Sequence, residues 1–208
     1  MVKVQGPALS LAASGKLAGA MVFSSWKGRP YVRELVKPAN PRSGGQVGIR
    51  AMMKFLSQQW KSIVSVDQAT WLTRAGQTVI SAFNAYVGYN VARWRDFVGP
   101  SQVDPATALA TNAVIGAATA TPGVRSMTLT IPITTANDGW GVAVFRSPTA
   151  AFDTTFDKLI ACGAVDGVND IVLIDSPLAP GTYYYDVRPF TTEGLLGAEK
   201  GEFDGTIV

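Results

Sequence analysis

The chain has 208 residues, 47% of them apolar and 16% charged, a composition that suits a globular protein and argues against a disordered one. It holds no histidine and one cysteine, which excludes the default general base, an internal disulfide and a cysteine-based zinc set. The net charge of +3 conceals a polarity: residues 1–100 carry 13 Lys and Arg against Glu34, Asp67 and Asp96, while residues 101–208 carry 5 basic and 12 acidic side chains. Halves this different read as separate modules, and they permit head-to-tail attraction between neighbouring copies.

Residues 7–13 (PALSLAA) are apolar, but the run is too short for a secretory core or a membrane span, so a soluble protein made in the cytoplasm is expected. Residues 1–45 are rich in Gly, Pro, Ser and basic side chains and have no long apolar stripe. Two short pieces, MVFSSW and PYVREL, flank a turn-like KGRP and predict a small β-hairpin; the following KPANPRSGG reads as an extended connector. A segment with so little core of its own is expected to lie across a partner or across the rest of the chain.

Residues 46–99 are helical by period and form an expected hub of three helices. Ile49, Met52, Met53, Leu56, Trp60, Ile63 and Val64 fall on one face of the first. Ser65 with Gln68 has capping-box spacing, a second helix runs through Trp71 and Leu72 to a break near Gly76, and a third starts at Ser81 with Phe83, Tyr86, Val87, Val91, Trp94 and Phe97 on one face. These stripes are read as mutual core, and a buried Trp60 sets an expected cost of about 3–5 kcal/mol for Trp60→Ala. Residues 100–122 are dominated by Ala and Thr and read as a linker contributing one edge strand.

From residue 123 to 208 strands take over. Met127, Leu129, Ile131 and Ile133 alternate, as do Trp140, Val142 and Val144; KLIAC, DIVLI, TYYYDV and GTIV follow, separated by turn signals. The stretch LAPGTYYYDVRPFTTEG, Leu178 to Gly194, resembles the sixth-strand region of fibronectin type III-like domains, which implies an immunoglobulin-like sandwich with Tyr184 as the candidate corner tyrosine. The expected fold class is therefore α+β: an extended N-terminal arm with a hairpin and a three-helix segment, then an all-β sandwich.

No catalytic, metal or cofactor residues are identified, and no enzymatic activity is expected. Asp153 and Asp157 are four apart, and DGVND (Asp166 to Asp170) offers oxygen atoms, but neither follows an EF-hand pattern. Gly15-x-x-x-Gly19 lacks the Lys-Ser/Thr of a phosphate loop. Cys162 lies in the apolar run KLIACGAV and reads as a buried small hydrophobe. Lys27, Arg29, Arg33, Lys37, Arg42, Arg50 and Lys54 crowd one window with Trp26 and Tyr31 interleaved, which fits either a nucleic-acid grip or an acidic protein surface.

The series GKLAG (15–19), VFSSWKGRPYVR (22–33), PANPRSGGQ (38–46), then Arg50, Phe55, Trp60 and Trp71, resembles the N-terminal pattern of a group of tailed-bacteriophage structural proteins. Their shared features are a Gly-rich start, a W-K-G-x-x-Y-V-R hairpin and an Asn-Pro-x-Ser/Thr-x-x-Gln segment, matched here by Asn40, Pro41, Ser43 and Gln46. The resemblance implies a virion component, with an accessory capsid protein (cement or decoration) expected first and a tail or head–tail connector protein as the alternative. Partner-binding residues are then expected to be Trp26, Lys27, Arg29, Tyr31, Arg33, Lys37, Asn40, Arg42, Gln46 and Arg50. The partners expected are other virion proteins and further copies of the chain, with nucleic acid as a second alternative and no membrane.

Overall fold

A computed structural model describes residues 3–4, 13–17, 21–26, 29–36, 40 and 42–208. The chain divides into two compact units, Met1–Pro41 and Arg42–Val208. In the first, β1 (Lys3–Val4), β2 (Ala13–Leu17), β3 (Met21–Trp26) and β4 (Arg29–Glu34) form an antiparallel sheet in that order. The hairpin expected from MVFSSW and PYVREL is β3–β4, closed by the pair Trp26↔Arg29, with the second strand starting one residue earlier than expected. The other two strands were not foreseen: Lys3–Val4 is too short to show a period, and ASGKL alternates only through Ala and Gly before Leu17, side chains too small to signal a strand.

The second unit opens with α1 (Gly44–Gln59), α2 (Ser65–Thr78) and α3 (Ala82–Arg95). The buried face of α1 is Gly48, Met52, Phe55 and Leu56. It is rotated from the expected stripe, because Met53 and Val64 are exposed while Phe55 turns inward, and the helix stops before Ile63. Trp60 follows the last residue of α1 and is half-buried, packed on Phe83 and Tyr86. The capping box is not made: Ser65 lies inside α2, and Gln68 Nε2 donates instead to the carbonyls of Trp60 and Ile63, 2.8 and 3.0 Å away, at the end of the preceding helix. Helix α2 continues past Gly76 and ends at Val79, whose left-handed φ of 53° breaks the repeat. Ser81, where the third helix was expected to start, is the N-cap of α3 and accepts a hydrogen bond from the Asn84 N–H.

The strands of this unit are β5 (Val114–Ile115), β6 (Thr119–Gly123), β7 (Ser126–Ile131), β8 (Ile133–Thr135), β9 (Gly139–Ser147), β10 (Leu159–Ala164), β11 (Ile171–Asp175), β12 (Gly181–Thr191) and β13 (Phe203–Ile207). Two antiparallel sheets, β10-β9-β12-β13 and β11-β7-β6, pack face to face, and β5–β8 pair alongside. Met127, Leu129 and Ile131 from β7 meet Val142 and Val144 from β9 and Tyr185 and Val187 from β12 in the core between them. The fold is thus a mixed α+β one with a β-sandwich-like part.

The helices are not a separate hub. Strand β9 is buried on both faces: Val142 and Val144 point into the sandwich, whereas Ala143 and Phe145 point into a second core shared with Met52, Phe55, Leu56, Trp71, Tyr86 and Trp94. Three layers result, helices on sheet on sheet. The expected division at 99 fails for this reason; reading only Trp140, Val142 and Val144 missed that the residues between them are apolar too. Gly141 marks the closeness of the layers, since a Cβ there would sit 2.8 Å from the Phe55 ring.

Residues 100–122 do not behave as a linker either. Ser101 is fully buried, with its N–H donating to Asn90 Oδ1 at 2.7 Å and its carbonyl accepting from Asn90 Nδ2 at 2.9 Å. Trp71 Nε1 donates to the Gln102 carbonyl at 2.7 Å, and Arg74 forks onto the Asp104 carboxylate at 2.8 Å. The expected edge strand is β6. In β12 it is Tyr183, not Tyr184, that reaches back to the chain upstream, its hydroxyl donating to the Ala179 carbonyl.

Candidate assembly interface

Register decides which residues of the N-terminal sheet share a face. Phe23 lies opposite Val32 and Met21 opposite Glu34, so these four positions share one face; Val22 opposite Arg33 and Ser24 opposite Tyr31 share the other. One face is thus mainly apolar, and the other carries an aromatic and a cation two residues apart. On edge strand β4 all of Tyr31, Val32, Arg33 and Glu34 are exposed, Val32 at 54%, so side chains on both faces reach solvent over these residues. Residues 1–41 carry six basic side chains against Glu34 alone.

The expected partner-binding residues fall in both units. Tyr31 and Arg33 stand exposed on β4, and Asn40 is exposed beyond it. Trp26 and Arg29 form the closing pair of the hairpin. Lys27 and Lys37 lie outside the described residues. In the second unit Arg42, Gln46 and Arg50 are exposed, the last two one helical turn apart on the solvent side of α1. The sequence reading followed charge and so missed Met21 and Val32, apolar side chains left at the surface of the N-terminal sheet. Their alternation with Val22, Tyr31 and Arg33 carries that signal.

Besides the Asn90–Ser101 pair, the second unit has a buried polar cluster on β12 and the segment before β13. Asp186 is 5% exposed, and its Oδ1 accepts from the Val187 and Gly201 N–H groups at 2.6 and 3.2 Å. Burial raises its pKa above the ordinary 3.8, outweighing those donors. Glu199 moves the other way, lowered chiefly by hydrogen bonds from Thr154, with Arg188 nearby. A raised carboxyl pKa gives a stability contribution that is complete below 3.8 and is lost as pH rises through the folded value. For Glu199 the contribution is present above 4.5 and is lost as pH falls. Asp186→Asn, which keeps an acceptor at Oδ1 without the charge, is therefore expected to unfold at equal or higher denaturant at neutral pH. It should also flatten the decline in stability that sets in as pH rises above 3.8. Urea titrations over rising pH check this, and a variant weaker than the parent at neutral pH would contradict it.

Other chemistry is sparse. Burial pushes the Cys162 thiol up, away from the nucleophilic thiolate. Lys158 Nζ donates to the Asp153 carbonyl and Asn169 Nδ2 to the Asp166 carbonyl, so the two acidic stretches act as self-bonded turns. Among the described residues no group of three or more His, Cys, Asp or Glu side chains could hold a metal ion. A groove of about 480 Å³ between α1 and α3 is lined by Met53, Phe83 and Val87. A cleft of about 640 Å³ is lined by Gln58, Gln59, Gln102, Trp140 and Asp166. Lys61, Ser62 and Thr192 also line the cleft, but the Ser62 hydroxyl donates to the Gln59 carbonyl at 2.8 Å rather than to a base. No helix among the described residues is long and apolar enough to cross a membrane.

No protein-family model matches the chain, and no curated protein matches it. Among solved structures it is similar to the PKD domain of an M14-like peptidase from Thermoplasmatales archaeon SCGC AB-540-F20, at 14% identity and a TM-score of 0.32, over 47% of this chain and 97% of that one. It is also similar to CopC from Methylosinus trichosporium OB3b, at 17% identity and a TM-score of 0.29, over 46% of this chain and 92% of that one.

Proposed function

We propose that the chain is a non-enzymatic structural protein of a tailed-bacteriophage virion, an accessory head protein that attaches to the particle through its N-terminal sheet. The observation that carries this reading is strand β4, whose described side chains are exposed on both faces of a sheet in the compact unit Met1–Pro41. Such a strand has apolar and polar surface to bury and an unpaired backbone edge, and it gains most by adding to a neighbouring protein. The residue series from GKLAG to Trp71 supports the virion assignment, and the charge of residues 1–41 supports an acidic partner surface. The sandwich is read as an immunoglobulin-like module facing solvent. Its two antiparallel sheets and the Tyr183–Ala179 hydrogen bond support that finer description.

Imaging of particles by cryo-electron microscopy tests the proposal. Copies distributed over the capsid agree with it; copies confined to the tail or neck replace it with the connector reading, and their absence from particles removes both. A second reading, a nucleic-acid grip, is favoured by exposed Tyr31 and Arg33 two residues apart on one strand. It requires binding that falls steeply as salt rises, and salt-insensitive binding removes it.

A further inference from the structure

Residues 166–174 form a second exposed strip at a sheet edge. Strand β11 is the edge of the sheet β11-β7-β6, and Val172 and Ile174 stand 57% and 70% exposed on its outer side. Asp170 continues the same alternation, and Asp166 and Val168 precede it in the exposed turn. The pattern is apolar and acidic. On β11 the outward residues meet Thr128 and Thr130 of β7 across the sheet, so no cation faces them from the paired strand.

Strand β4 is its counterpart. It too is a sheet edge; of its exposed residues Tyr31 and Arg33 share one face and Val32 and Glu34 the other, in a unit with six basic side chains and one acid. We infer that the two strips are the halves of one interface between copies: β4 of one molecule docks on β11 of the next. This rests on the reading of the N-terminal sheet as an attachment device and names its partner as a second copy of the chain. Tyr31 is removed from water against Val172 and Ile174, while Arg33, on the same face of β4, meets Asp170 and the turn that carries Asp166, which sets orientation and speeds encounter. Two different surfaces meet, so the contact is heterologous and propagates from copy to copy into a ring or an open row.

Sedimentation velocity on the full-length chain tests the inference. The parent is expected to form species larger than a monomer at about 50 mM salt and to dissociate at about 500 mM, where charges are screened within a few ångströms. Asp166→Lys with Asp170→Lys, and separately Arg29→Glu with Arg33→Glu, should each give monomers, because each sets like charges against one another. Mixing the two variants in equal amounts should restore the larger species, since both swapped strips then meet an opposite charge; a misfolded variant would not be rescued in this way. A parent that is monomeric at every salt concentration, variants that associate as the parent does, or a mixture that stays monomeric overturns self-docking. The attachment reading fails separately: it falls if the Arg29→Glu, Arg33→Glu protein enters particles in normal amount, whatever its state in solution.

Discussion

A chain lacking residues 1–41 is expected to fold as the full-length protein does and to be missing from assembled particles. Among the described residues, both hydrophobic cores draw only on positions after 41, from Met52 in the helices to Ile207 in the last strand. Removing the N-terminal sheet therefore takes no described side chain from either core. The melting temperature of residues 42–208 should lie within about 2 °C of the parent value, the scale of a stability change of about 0.5–1 kcal/mol in a domain of this size. Function should respond in the opposite way. The exposed strand β4 and most of the expected contact residues go with the deletion, and with them the attachment. Circular dichroism melts and quantification of the protein in purified particles check the two halves together. Normal incorporation of the shortened chain would refute the anchoring role, and a shortened chain that does not fold would show that the second unit depends on the first.

The N-terminal sheet shows why charge was legible in the sequence and the interface was not. A window of basic side chains between Trp26 and Lys54 is visible at once, and Tyr31, Arg33, Arg42, Gln46 and Arg50 are indeed exposed. Whether a strand is covered is a tertiary fact, however, and alternation over the few residues of β4 gives the same pattern for one covered face as for none. The strands of the sandwich were readable where one face only is buried, as in β7 with its strict alternation of Met127, Leu129 and Ile131. Strand β9 is buried on both faces and loses its period, so its second contact, with the helices, showed only as a continuous apolar run. Polar side chains hid the docking of residues 100–105: Asn90 and Trp71 bind backbone groups 11 and 31 residues away, and no local rule predicts such partners. Gln68 had two uses open to it, and packing chose the carbonyls at the end of α1 over a capping box.

Phe145→Ala is expected to weaken the helices and the sandwich together, by about 3–5 kcal/mol, and to leave a single unfolding transition. Phe145 is fully buried on β9, stacked against Trp94 at 6.1 Å and set edge-on to Phe97 at 5.9 Å, so its ring belongs to the sheet and its contacts to the third helix. Truncation leaves a cavity between layers that neither can close alone. Trp60→Ala is the comparison. Its ring packs on Phe83 and Tyr86 but is only half-buried, so the loss should be about 1–2 kcal/mol, below the cost that full burial implies. Denaturant unfolding followed in parallel by far-ultraviolet dichroism, which weights the helices, and by tryptophan fluorescence distinguishes the cases. Coincident curves for the parent and both variants indicate one cooperative unit. Helical signal lost before the fluorescence change would mean that the helices unfold on their own, and the shared core would not be what holds them. The two costs differ because Phe145 lies between the layers and Trp60 at their margin, and a Trp60 variant as damaged as the Phe145 one would reverse that order.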